Sequence, residues 1–560
     1  MKIKFLFFVL FLSLHTYAID FNELISSFSA DESALERKYP NSLSDIYFER
    51  FSAFYQDWKT QLESIDFKQL TKDQKVDYIL LKNKINKNAY FLSLSATEFN
   101  KVKFVVKDLN EIYVFNENRK VGLNPKSDQL AAIFNEATKS IQKEILNLKN
   151  IKQFDSWQSA DLAANIVNKL KESTAESYEF YNEYNPEFMW WMKSSQEKLN
   201  KTLIEYQDLL RKHYSNTLVK DDGSGIIGKP LGRTALLKDL NFEFIVYTPE
   251  QLITEANNQF AWCEKEMLKA SNELGYGNDW KKALEHVKQT YVKPGQWQED
   301  VNKLALEAVS FVQDRDLITV PPLAKETWRM TMLSAQAQRV SPFFLGGEEI
   351  QVAYPTLSMD YDDKMMSFRG NNPHFSRAVV QHELIPGHHL QQFMNQRYKP
   401  YRQLFATPFW TEGWSVYWEF NLWDKKFPKS PEDKIGMLFW RMHRCARIIF
   451  SLNYHLEKMT PQQSIDFLVN KVGHERANAE AEVRRSFMGG YGPLYQIGYM
   501  VGALQFYSLK KGLVDSGKMT EKKFHDIILQ NNTMPIEILK SMLYEEELKI
   551  DTQPKWRFLD

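Results

Sequence analysis

Cysteine is nearly absent from the 560-residue chain. Its two cysteines, Cys263 and Cys445, have no ligand-like spacing, which excludes a cysteine-rich metal site. In an oxidising compartment they could form one disulfide; two buried thiols are the expected arrangement. Neither sign of charge is in excess, because Lys+Arg and Asp+Glu each number 71. The basic surplus or stripe of a nucleic-acid binder is therefore missing, and no nucleic-acid partner is expected. Beyond the first 18 residues no run approaches the ~18 apolar residues of a membrane span. Strand-like alternation is scarce. There is no internal repeat and no low-complexity tract.

What is present is ordinary for a soluble globular protein: 43% apolar and 25% charged residues. The length allows one large domain or two to four ordinary ones. The 14% aromatic content suits either a large core or a peptide-binding cleft. The chain opens MKIKFLFFVLFLSLHTYA, with Lys2 and Lys4 ahead of an apolar run and Thr16-Tyr17-Ala18 behind it. That pattern predicts a cleaved signal peptide over residues 1–18. An uncleaved anchor is the other reading, but the run is short for a span. No cysteine follows it to carry a lipid. The mature chain is expected in the periplasm or secreted, with no stable membrane insertion.

Helical periodicity dominates the rest, giving a mainly α fold. Asp128–Asn147, Ser159–Lys171, Pro249–Leu274 and Trp297–Arg315 place apolar residues at spacings of three and four. The predicted strands are Glu243–Tyr247 and Gln351–Met359. Asp221–Arg233 (DDGSGIIGKPLGR) reads as a loop or hinge, and Asp314–Leu323 ends a helix. A boundary near residue 220 separates an N-terminal helical region, 19–219, from a region 220–560 that carries the chemistry.

That chemistry centres on SRAVVQHELIPGHHLQQFMNQ, residues 376–396, with three of the chain's 11 histidines. In HExxH, two His at i and i+4 share one helix face, and the Glu lies beside the metal-bound water. Here i+4 is Pro386. On an unbroken helix His388, at i+6, would sit about 240° round and roughly 9 Å along from His382. No single ion could reach both, since Zn–N bonds are about 2.0–2.1 Å. Pro386 changes this. It has no N–H, and its ring clashes with the carbonyl of His382. Gly387 can take angles closed to other residues. A bulge of about two residues at Ile385–Gly387 would bring His388 to the second ligand position.

HELIPGHHLQ, followed by TEGWSVYWE, resembles the bacterial family called domain of unknown function 885, whose members carry HExxPGHHxQ and EGWxxYxE. The family is grouped with the Glu-zincin metallopeptidases, relatives of thermostable carboxypeptidases and thimet-type oligopeptidases. The resemblance extends over the helical region from about Leu231 and weakly over the N-terminal part. It implies a multi-helix peptidase-like fold with a small β element near the cleft. It also implies one zinc ion held by His382, His388 and Glu412, with Glu383 as general base. Three protein ligands and an open position are what a catalytic zinc requires. Glu412 would lie on a new helix starting near Thr411. Glu419, seven residues on, shares its face and is a candidate to fix a histidine tautomer. His389 is a candidate for supporting the ligands or for a structural role.

In the related enzymes a tyrosine from a Gly-Tyr-rich segment steadies the oxyanion. Gly489–Tyr499 is similar, and Tyr499 and Tyr495 are both candidates, on one helix face. Tyr499 fits the family's spacing to a following glycine, here Gly502. The family normally has Gln where this chain has Tyr495, and the Arg485–Pro493 stretch is longer than usual. Tyr491 is a candidate substrate contact. The family's Glu-x-x-Arg matches Glu482 and Arg485. Arg485 could bind a peptide's C-terminal carboxylate or form a buried salt bridge. The expected function is a zinc-dependent peptidase with a peptide substrate. Two alternatives stand beside it: a non-catalytic peptide-binding relative, and a metal-dependent hydrolase of another amide.

Overall fold

A computed structural model describes residues 20–106, 109–150, 154, 156–216, 221–338, 343–488 and 490–560. The expected signal segment, residues 1–18, lies outside them. The described residues form 23 α-helices and one small three-stranded sheet, the mainly α fold that periodicity predicts. Among the described residues no helix is long and apolar enough to cross a membrane.

The helices start where side chains can satisfy their free N–H groups. Thr248 accepts from Gln251 N while Gln251 accepts from Thr248 N, a reciprocal cap on the helix Pro249–Glu273. Along that helix Leu252, Ala256, Phe260, Cys263, Met267 and Ala270 are buried. This stripe packs on the helix Pro431–His455, here the arginine helix. Cys263 and Cys445 are both buried free thiols. Burial, reinforced by Cys263, pushes the Cys445 thiol well up, so Cys445 is not a reactive nucleophile. The other periodic segments form Ser127–Asn150, Trp157–Asn182 and Trp297–Asp314.

Two strand expectations need correction. Glu243–Tyr247 closes a helix instead: Glu243 N and Ile245 N return to the carbonyls of Asp239 and Leu240, and Phe244 is left-handed at φ 57°. Phe244, Ile245 and Tyr247 are buried by core packing, not by a ladder. The strand expected over Gln351–Met359 is shorter and earlier. Strand β1 is Arg329–Met332, β2 is Phe344–Leu345 and β3 is Glu349–Val352. Ala353 N still bonds Phe343 O, but Pro355 has no N–H to continue and Thr356–Met359 turns back. Central β3 pairs parallel with β1 and antiparallel with β2.

Two apolar cores result. One joins residues between Phe48 and Leu210. The larger takes in Phe21–Ile85 side chains together with those from Ile226 to Phe558. A buried ion pair ties early and late sequence together: Arg402, fully buried, donates to Asp77 Oδ1 at 2.6 Å, and Tyr401 donates to Asp77 Oδ2 at 3.0 Å. The loop 221–232 is anchored on the arginine helix, with Gly232 N bonded to His455 O.

Candidate metal centre

The helix Pro373–Glu383, called the HE helix, stops at Glu383, and a second helix, His388–Asn395, starts at His388. Between them Gly387 N reaches Gln381 O and Leu390 N reaches Leu384 O. Both bonds span six residues where a helix spans four, so two extra residues are looped out. Only glycine fits at 387: a Cβ there would lie 1.8 Å from His382 O. Trp414 Nε1 donates to Pro386 O at 2.9 Å and fixes the loop from the opposite helix.

The bulge brings the two imidazoles together edge to face. Their ring centres lie 4.8 Å apart and nearly perpendicular. Glu412 meets them from the helix Pro408–Asp424, called the tryptophan helix. Its Oε2 is 3.1 Å from His388 Nε2 and 3.6 Å from His382 Nε2. In a tetrahedral site with bonds of about 2.0–2.1 Å, ligand atoms are about 3.3 Å apart. The donor set and its spacing therefore suit zinc. Glu383 Oε2 is 4.0 Å from His388 Nε2, beside the ligands. His382, Glu383 and His388 alone already offer ligand atoms within 4.8 Å of one another. The tryptophan helix begins at Pro408, three residues before the expected Thr411, because Thr407 accepts from Phe409 N and caps it.

His382 Nδ1 donates to Glu419 Oε1 at 2.8 Å, which leaves Nε2 as the nitrogen that faces Glu412. Arg444 Nη2 donates to the same oxygen at 3.2 Å. Burial raises Glu419, but Arg444 and His382 outweigh it and hold its carboxyl below the usual range. Burial likewise raises Glu412, and His388 and His382 hold it well below. For His382 burial lowers and Glu412 and Glu419 raise, with a net rise to about 9. All five side chains are buried.

The helix Tyr495–Lys510, the tyrosine helix, lies unusually close to the tryptophan helix. A Cβ on Gly502 would be 2.0 Å from Phe409 O, and one on Gly413 2.6 Å from Gly502 Cα. Glycines at these positions let the two backbones touch. That approach lets Tyr495 Oη donate to Glu412 Oε1 at 2.5 Å. Tyr499, one turn on, lies parallel to the His382 ring with 6.3 Å between centres. Burial raises both phenols, so they stay protonated donors. Tyr491 packs on Tyr495, and Arg485 lies over the Tyr491 ring at 5.0 Å. Gly489, part of the Gly-Tyr-rich segment, is outside the described residues.

One cavity of about 250 Å³ brings together His382, Glu383, His388, Glu412, Arg485, Tyr491, Tyr495 and Tyr499. His389 is elsewhere. Its ring nitrogens face the carbonyls of Ala324 and Glu348 at 2.9 and 3.3 Å. It pins the β2–β3 turn to the second histidine helix, the structural role among its two readings. That turn matters: a Cβ on Gly346 would be 2.0 Å from Glu383 Oε2, so the turn's backbone forms a wall of the site. The sequence reading missed Gly346. It also missed Arg444 and Arg447, which line the cavity from the arginine helix. Two arginines three apart in the apolar RCARIIF were the available signal. The other His-Glu pair, His474-Glu475, is structural: His474 Nε2 is 2.9 Å from His443 Nδ1, and Arg369 donates to Glu475.

The profile of a family described as "Bacterial protein of unknown function (DUF885)" matches residues 29–543. No curated protein matches the sequence. Among solved structures, a lipoprotein candidate of unknown function from Shewanella oneidensis aligns with a TM-score of 0.69 and 17% identity, over 94% of this chain and 100% of that one. A lipoprotein candidate from Colwellia psychrerythraea aligns with a TM-score of 0.60 and 15% identity, over 94% and 99%. At such identities the likeness is one of fold.

Proposed function

The chain belongs to the DUF885 family of bacterial proteins, and from that premise we propose that it is a zinc-dependent peptidase acting on short peptides outside the cytoplasm. The observation that carries the reading is the convergence of His382, His388 and Glu412 on one point, with Glu383 spare beside them. The ligand set leaves a coordination position for water or substrate. The N-terminal segment of the sequence supports the location, as does the description of the two structural neighbours as lipoprotein candidates.

Bound between these ligands, zinc supplies a Lewis acid and a water of lowered pKa. The chain's own residues do the rest. Glu383 takes the attacking water's proton and passes it to the leaving amine, as base and then acid. Glu419 and Arg444 hold His382 in the tautomer that presents Nε2. Tyr495 orients Glu412 through its Oε1, leaving Oε2 towards the imidazoles. Tyr499 is the donor left for the developing oxyanion. The Gly346 turn and the aromatic walls keep bulk water from Glu383.

The test is peptide hydrolysis before and after chelation. A mixture of short peptides should be cut by the purified protein, spared after chelator treatment, and cut again when zinc is restored. Hydrolysis that chelation leaves unchanged would remove the mechanism.

A further inference from the structure

The cavity holds one arginine with no hydrogen-bonded carboxylate. Three arginines line it: Arg444, Arg447 and Arg485. Arg444 is matched by Glu419. Arg447 is matched by Glu482 in a two-pronged pair, Nε to Oε1 at 2.7 Å and Nη2 to Oε2 at 3.1 Å. Gln496 Nε2 also donates to Glu482 Oε1, at 3.2 Å. Burial raises Glu482, but Arg447 and Arg485 pull it down to about 2, so it is fully ionised and its oxygens are taken.

Arg485 is left over. It is 8% exposed, and its nearest carboxylate oxygen, Glu482 Oε2, stands 3.8 Å from Nε, beyond hydrogen-bond reach. Its Nε has no hydrogen-bond partner, and no hydrogen bond to its Nη atoms exists among the described residues. A buried guanidinium with one shared, distant counter-ion is costly unless something else pairs with it. The other groups around it are the hydroxyls of Tyr491, Tyr495 and Tyr499 and the guanidinium of Arg447. Its neighbour Arg484 has a different place, exposed and donating to Gly225 O.

We propose that Arg485 binds the terminal carboxylate of the substrate's last residue, so that the enzyme removes residues from free C-termini. That an anion pairs here follows from the unbonded guanidinium; its identity as a peptide terminus rests on the peptidase reading. Guanidinium and carboxylate match as a planar two-pronged pair. The cavity size agrees: about 250 Å³, below the ~300–1,000 Å³ of typical ligand pockets, has room for the last residue of a peptide. Arg447 and Glu482 form the neutral platform that holds the Arg485 charge forward.

The experiment measures binding, so it reads independently of turnover. Zinc-loaded Glu383→Gln protein is titrated calorimetrically with three N-acylated tripeptides: one ending in free alanine, its C-terminal amide, and an amide whose last residue is glutamate. The free acid should bind roughly 10- to 100-fold tighter than either amide, the range for a hydrogen-bonded charge. Arg485→Met should abolish the difference and Arg485→Lys should keep part of it. Digestion by the wild-type enzyme should then release single C-terminal residues, read by mass. Equal binding of acid and amide overturns the proposal, and so does no binding of any peptide. If the glutamate amide matches the free acid, the site reads a side-chain carboxylate and the terminal-carboxylate claim fails. If the free acid binds selectively but no peptide is cut, the peptidase reading falls while the carboxylate site stands.

Discussion

The helices Ser127–Asn150 and Pro408–Asp424 solve opposite problems. The first buries one stripe, Leu130, Phe134, Ile141, Ile145 and Leu148, and turns its charges to solvent. The second is buried nearly all round. It carries Trp410, Trp414 and Trp418 on one side, and Glu412, Ser415, Glu419 and Asn421 are buried within it too. A polar group out of water is costly unless it is bonded. Both buried carboxylates of the tryptophan helix are bonded, Glu412 to Tyr495 and Glu419 to His382 and Arg444. The amphipathic helix is built for stability alone. The tryptophan helix gives up some of it to hold charge at a chosen point.

Substitutions can sharpen that contrast. The largest effect is expected from Glu383→Gln, which keeps shape and metal but removes the base. Turnover of a cut peptide should fall by about 10² to 10⁴-fold, with metal content and melting temperature unchanged. Next comes Phe134→Ala in the amphipathic region. Emptying a fully buried ring site should cost about 3–5 kcal/mol in denaturant unfolding, while zinc affinity of the folded protein stays as it was. If zinc affinity fell with it, the two regions would not be separable in the way drawn here.

Glu419→Gln is smaller and of the other kind. It weakens the hold on His382 without touching the ion, so zinc affinity should drop roughly 10- to 100-fold in competition with a chelator. An unchanged affinity would reduce Glu419 to a partner of Arg444. The smallest effect concerns pH. His525 Nδ1 donates to Leu317 O and its Nε2 accepts from Tyr417 Oη, which fixes it neutral. Burial lowers its pKa to about 4. Between pH 4 and about 6.5 the unfolded chain binds the proton that the folded chain refuses. Its contribution to stability is therefore complete above about 6.5 and lost as pH falls towards 4. Melting temperature followed from pH 7 to 4.5 should decline, and less steeply in His525→Gln.

Legibility in the sequence followed the same division. Ser127–Asn150 was visible because one buried face repeats every three or four residues. The bulge was visible because Pro386 and Gly387 interrupt such a repeat between two histidines. Glu412 was reached only through the resemblance. Nothing local marks a carboxylate 24 residues downstream as a neighbour of those rings. The strand expected at Glu243–Tyr247 failed because its apolar run is packed into the core by a helix-closing turn and not by a ladder. Arg444, Arg447 and Gly346 were not read because their roles depend on tertiary packing: two helices and a β-turn meeting over one cavity.

The measurement that bears most directly on this account is the metal content of the purified, zinc-equilibrated protein beside that of Glu412→Gln. The account predicts one bound zinc per wild-type chain and a large loss in the variant, with the fold intact by circular dichroism. A wild-type protein that holds no metal, or a variant that holds it as firmly, would contradict it.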